Sequence, residues 1–359
     1  MSLAKTEYFL GCVSPDGFTT HFDKKIAGEK NFTYILKGGA GTGKSSLMKK
    51  IALKFSDKDE ITVHRCSSDP DSLDAVVLNN AGVIVVDGTA PHVFEPVYAG
   101  VKQKIINLGD FWDSEKLTQN SEGIIASTKE CLRWHKRCKS FVSALSSLNS
   151  DTYSIALESL DFPKLDAYIA RLSKKLFQKG KTGEGKTVYS QLSAMTPNGY
   201  MTLSDTFCGY KKIYSLNDGC FSGSDAFLRE LATVAVSKGY TVIVSECTLL
   251  SSKVFEHMLI PEISTAFINS SPINGILLPD ADIINFKRFY DKGFLAHKKQ
   301  RLSFNRKASQ DLTAEAAAAL KNAKSIHDEI EKYYIEAMDF IGINALTDKL
   351  IGEIEEKLS

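Results

Sequence analysis

The chain has 359 residues, 43% hydrophobic and 24% charged, an ordinary globular composition long enough for two domains. Its 44 Lys and Arg balance 43 Asp and Glu. That balance excludes any strong electrostatic demand for nucleic acid or an anionic membrane as partner.

In chain order, the N-terminal MSLAKTEYFLGCVS has Glu7 ahead of a very short apolar patch. It does not read as a secretory signal, and Cys12 is expected in a buried strand. No later run reaches the roughly 18 to 20 apolar residues of a membrane span. The cysteines (Cys12, Cys66, Cys131, Cys138, Cys208, Cys220 and Cys247) are scattered and include no C-x-x-C pair. They suit free thiols in a reducing, cytoplasmic setting.

Phe32 to Leu36, FTYIL, predicts a short buried strand. It leads into Gly38 to Ser45, GGAGTGKS, which satisfies G-x-x-x-x-G-K-[ST], the loop that cradles nucleotide phosphates. A helix should follow, since Leu47, Met48, Ile51, Ala52 and Phe55 share one face. Such a helix start offers free backbone N–H groups and a positive dipole end to an anion. Gly39, Ala40, Gly41, Thr42, Gly43, Lys44, Ser45 and Ser46 are therefore the expected phosphate-binding residues. Lys44 would reach the β- and γ-phosphates, and Ser45 would ligate Mg²⁺.

Ile61 to Cys66 predicts the next strand. Asp69, Asp71 and Asp74 follow in HRCSSDPDSLD. They could hold a metal or orient a substrate hydroxyl; the plainer alternative is a turn in which Ser68 or Asp69 caps a helix. Val83 to Val86 predict a buried parallel strand. Asp87 stands at its carboxyl end, the edge where open α/β sheets bind ligands. It would hold Mg²⁺ through water or position an attacking water, and the alternative is a cap or turn. Gly88 occupies the place where many motor ATPases carry Glu, which weakens a motor reading. His92 would contact phosphate or base, or pack under the loop.

Residues 114–179 and 292–359 predict helices. Thr128, Cys131, His135, Cys138, Val142 and Leu145 step by three and four, as do Leu320, Ala323, His327, Ile330, Tyr334 and Ala337. This spacing predicts a helix–helix seam containing a buried histidine. Between the helical stretches lies a second loop match, Gly180 to Thr187, GKTGEGKT. A helix precedes it and a strand follows, so it predicts a mobile linker between domains 1–179 and 188–359.

The second domain repeats the first at offsets near 180. SPDGF (Ser14 to Phe18) matches TPNGY (Thr196 to Tyr200), and IINLGDFWD (Ile105 to Asp113) matches IINFKRFYD (Ile283 to Asp291). In this register Lys44 has become Ser224, Ser45 has become Asp225 and Asp87 has become Asn269. The second copy is thus chemically disarmed, and Asp225 would repel a triphosphate. The basic run His297 to Lys307 could lend Arg301 or Arg306 to a phosphate of the first half. The predicted fold is α/β: tandem P-loop NTPase-like domains with largely parallel sheets, each with an appended helical segment.

With these residues placed, the chain resembles a family of bacterial ATP-binding proteins built from two phosphate-loop repeats and described as ATPases or nucleotide kinases. GGAGTGKSS, HRCSSDPDSLD, DGTAPH and INLGDFWD carry the resemblance, which runs nearly end to end. It implies nucleotide binding by Gly39 to Ser46 and a metal-side role for Asp87. DGCFSGSD, at the second loop, departs from the family's pattern. The leading expectation is Mg-ATP binding with slow or partner-stimulated hydrolysis at one competent site. The rivals are a kinase passing the γ-phosphate to a small molecule or nucleotide, and a nucleotide-sensing module whose helices bind a protein. ATP is favoured over GTP because no N-K-x-D motif follows.

Overall fold

The computed structural model describes residues 6–26, 28, 30–91, 93–178, 180, 183–250, 253–271 and 275–358. The first half runs β1 (Thr6–Phe9), β2 (Gly11–Ser14), β3 (Gly17–Thr20), α1 (Asp23–Ile26), β4 (Phe32–Lys37), α2 (Lys44–Phe55), β5 (Ile61–Arg65), β6 (Leu73–Leu78), β7 (Val83–Asp87), β8 (Gln103–Asn107), α3 (Ser114–Gln119), α4 (Ser121–Glu158) and α5 (Phe162–Leu176). The second half runs β9 (Lys186–Tyr189), β10 (Ser193–Thr196), β11 (Gly199–Thr202), α6 (Asp205–Cys208), β12 (Lys212–Asn217), α7 (Ser222–Ser237), β13 (Thr241–Glu246), β14 (Phe255–Ile260), β15 (Thr265–Asn269), β16 (Asp282–Asn285), α8 (Lys292–His297), α9 (Lys299–Ala337) and α10 (Phe340–Leu358).

Two six-stranded sheets carry the molecule, ordered β1-β5-β6-β7-β4-β8 and β9-β13-β14-β15-β12-β16. Each strand of the first order thus has a counterpart at the same place in the second. Neighbours pair in parallel except around β6 and β14, which run antiparallel to both of their neighbours. The stretch after Asp69 therefore enters a strand, not the helix that a cap at Ser68 or Asp69 would start. Leu73 to Leu78 are all buried, so the segment satisfies its backbone by pairing between β5 and β7. Cys12 is buried in β2.

The helices do not stay with the sheet that precedes them. α4 has 38 residues, about 57 Å at 1.5 Å per residue, far longer than a strand of five. It carries the chain across to the second sheet, where Leu165, Ile169 and Leu172 of α5 join the core of β12, β15 and α7. α9 returns antiparallel beside α4, with Cys131 opposite Ala323 and Asp151 opposite Arg301. α10 then buries Ile343, Leu350 and Ile354 against α2 and the first sheet. Burying three such side chains contributes roughly 5–9 kcal/mol. The boundaries 1–179 and 188–359 separate the two sheets but not the helices, which are exchanged.

Two smaller expectations change. β9 begins at Lys186, inside the segment read as a linker, and pairs in parallel with β13. Lys186 and Thr187 are thus strand residues with no helix behind them, while Lys181 and Thr182 lie outside the described residues. In the α4–α9 seam Cys131, Cys138, Ala323 and Ile330 are buried, but His135 is only half-buried and His327 is exposed. An imidazole would have had to find polar partners within that apolar seam. Among the described residues no helix is long and apolar enough to cross a membrane.

Candidate functional site

β4 and β7 lie side by side in parallel, with Leu36 opposite Asp87. Their carboxyl ends thus bring the glycine-rich loop and this carboxylate together. The loop turns through Gly41 (φ 67°) and Gly43 (φ 89°), a conformation that penalises a side chain, and enters α2 at Lys44. Thr42, which is buried, braces it by donating to the Gly39 carbonyl at 2.9 Å. Lys44 Nζ donates to the carbonyls of Gly38 (3.0 Å) and Gly39 (2.6 Å) and stands 3.6 Å from Asp87 Oδ2. Asp87 Oδ1 accepts from the Thr89 amide at 2.8 Å and from the Thr89 hydroxyl. Ser45 Oγ accepts the Leu73 amide of β6 at 3.0 Å.

Among the described residues, no protein group accepts a hydrogen bond from the backbone N–H groups of Gly39 to Ser46. A run of unpaired donors at a helix start, with an ammonium beside it, can receive an anion. Lys44, Ser45 and Asp87 are brought together. Asp74 lies beside them, next to the Leu73 amide that Ser45 accepts and level with Asp87 in the β6–β7 pairing. Asp69 closes a turn by accepting from Ser72 Oγ at 2.7 Å and lies 3.6 Å from Lys324 of α9. Asp71 is exposed, and Asp74 is buried within β6. His92 lies outside the described residues.

The second copy keeps the scaffold and fills it. Ser224 and Asn269 meet at 3.1 Å where Lys44 meets Asp87. Asp225 Oδ1 accepts the Phe255 amide at 2.7 Å, as Ser45 accepts that of Leu73. Asp225 also binds Arg229 (2.8 Å) and the Tyr153 hydroxyl (2.8 Å). Phe221 holds φ 64° at the place of Gly41. Asp218, at the place of Gly38, turns inward and is 2% exposed. Its carboxylate accepts from the amides of Ser224 (2.8 Å) and Cys220 (3.1 Å) and from the Tyr290 hydroxyl (3.0 Å). Burial raises this carboxyl above its ordinary range, and those hydrogen bonds oppose the rise.

Sequence reasoning missed Asp218 and Tyr290; the signal was an Asp at a position held by Gly in the first loop. It also missed what lies on the first loop. α9 packs on its outer side: a Cβ on Gly39 would come within 2.7 Å of the Tyr334 ring, and one on Gly41 within 2.8 Å of the Glu331 carbonyl. Trp112 and Tyr334 approach with ring centroids 5.9 Å apart. Arg301 does not reach this loop. It pairs with Asp151 at the opposite end of α9, 30 residues and about 45 Å from Glu331. Arg306, five residues further on, is also remote. On α9, His327, Asp328 and Glu331 gather within 4.8 Å, where Lys324, 2.8 Å from Asp328, supplies positive charge.

Compared with known proteins, the chain matches no family model, no curated protein sequence and no solved structure.

Proposed function

We propose that the first half is a P-loop NTPase-like domain that binds Mg-ATP and hydrolyses it slowly, or faster with a partner. The second half is a degenerate copy without a nucleotide. One observation carries this reading: the amides of Gly39 to Ser46 are open beside Lys44 and Asp87, whereas the matching amides of Cys220 and Ser224 already hold the protein's own carboxylate. In the bound state Lys44 would leave the Gly38 and Gly39 carbonyls for the β- and γ-phosphates. Ser45 Oγ would ligate Mg²⁺, and Asp87 would hold it through water.

The test is phosphate release from Mg-ATP by the wild type and by Lys44→Ala. Multiple turnovers that fall at least a hundredfold in the variant support hydrolysis at this loop. Equal rates in both proteins would sink it. A nucleotide-sensing reading is favoured by a different observation, the packing of Tyr334 and Glu331 on Gly39 and Gly41. In that reading ATP binds without turnover, shifts Trp112 fluorescence, and loses both effects in Lys44→Ala.

A further inference from the structure

The two halves also differ away from the loops. On the first sheet, the groove between α10 and the edge strand β8 is closed by Glu353. Its carboxylate accepts from Lys104 at 2.9 Å and from the Tyr34 hydroxyl at 3.2 Å. Strand register identifies the matching positions on the second sheet: Tyr34 faces Lys104 as Tyr214 faces Asp282. The bridge Trp112–Met338 matches the bridge Tyr290–Leu160 at an offset of 178 residues. The same offset sets Glu353 of α10 against Lys175 of α5.

Both members of the closing pair have therefore reversed charge, and they no longer meet. Asp282 is neutralised instead by Lys212 at 2.5 Å. A cavity of about 450 Å³ remains between α5 and β16, lined by Tyr168, Arg171, Lys175, Tyr214, Asp282 and Ile283 among others. Among the described residues Arg171 and Lys175 have no carboxylate partner. The Arg171 guanidinium lies over the Tyr168 ring, 5.4 Å from its centroid, and Ile283 forms an apolar lip that is 69% exposed.

Two unneutralised cations beside an aromatic wall attract an anion. A guanidinium held over a ring is oriented for phosphate oxygens, and the volume suits a small molecule. We propose that this groove is a ligand site separate from the glycine loop, and that it takes a phosphate monoester. The phosphate lies between Arg171 and Lys175, and the organic part rests on Ile283 and the Tyr168 edge.

The test uses full-length Lys44→Ala, so that binding at the first loop is not counted, with AMP and inorganic phosphate as calorimetric probes. AMP is expected to bind at one site, more tightly than inorganic phosphate. Adding Arg171→Ala and Lys175→Ala should weaken AMP at least tenfold while leaving Tm unchanged, because both side chains are exposed. Rebuilding the closing pair with Lys175→Glu and Asp282→Lys should abolish AMP binding in a folded chain. No AMP binding to Lys44→Ala, or binding indifferent to these substitutions, overturns the site. Equal affinity for AMP and inorganic phosphate overturns the ester assignment.

Discussion

His257 lies fully buried in β14, and its tautomer is set by its neighbours. The Asn269 amide donates to Nδ1 at 3.1 Å, so that nitrogen carries no proton, and Nε2 meets Ser193 Oγ at 2.8 Å. Burial drives its pKa from 6.5 down to about 3. The same cause, with Lys25 nearby, holds buried His64 well below its ordinary value. Well above pH 6.5 both imidazoles are neutral, folded or unfolded, and neither costs stability. Below 6.5 the unfolded chain takes up protons that the folded chain refuses, so stability falls toward pH 3. Each such group removes at most about 1.4 kcal/mol per pH unit. Urea denaturation at pH 7.5 and 5.5 should show this loss, and His257→Gln should show a smaller one; an unchanged slope in the variant would refute the assignment.

At the scale of elements, the exchanged helices bear most on the site. α10 covers α2 through Ile343, Leu350 and Ile354, and Phe340 and Ile343 lie near Gly43 of the loop. Leu350→Ala in α10 should cost roughly 2–5 kcal/mol, as for other buried leucines. The loss should fall on the first sheet, although α10 lies far along the chain from it. Hydrogen exchange would check this: β4 and β7 should lose protection, and β12 and β15 should not. Some elements are legible in a few residues. FTYIL becomes β4, and Val83 to Val86 become most of β7, because a short β-branched run suits a strand buried on both faces. β6 is not legible, because SSDPDS before it serves a helix cap or a turn equally well. Only pairing with β5 and β7 makes it a strand.

For the whole molecule, the exchange makes each sheet depend on the other half of the chain. Residues 1–185 alone would leave α2 uncovered and expose the surface that Leu350 and Ile354 occupy. This fragment should not fold by circular dichroism. Mixed with residues 186–359 it should recover a one-to-one complex, visible by size-exclusion chromatography. A fragment 1–185 that unfolds cooperatively on its own would show that α10 is dispensable. The same exchange places α9 on the first loop, so that loop is buttressed by a helix encoded after the second sheet.

The strand–loop–helix units, the loop with Lys44 and Asp87 at one sheet edge, and the loss of those groups in the second copy are legible in the chain alone. These follow from local pattern, since side-chain spacing and glycine placement act over a few residues. Tertiary structure alone decided which sheet each helix covers, because an apolar face at Ile343, Leu350 and Ile354 specifies burial but not a partner. A 38-residue helix sets the partner by ending beyond its own sheet. Tertiary structure also decided that Asp218 fills the second loop. The donors that hold it come from residues 220, 224 and 290, and only folding brings them together.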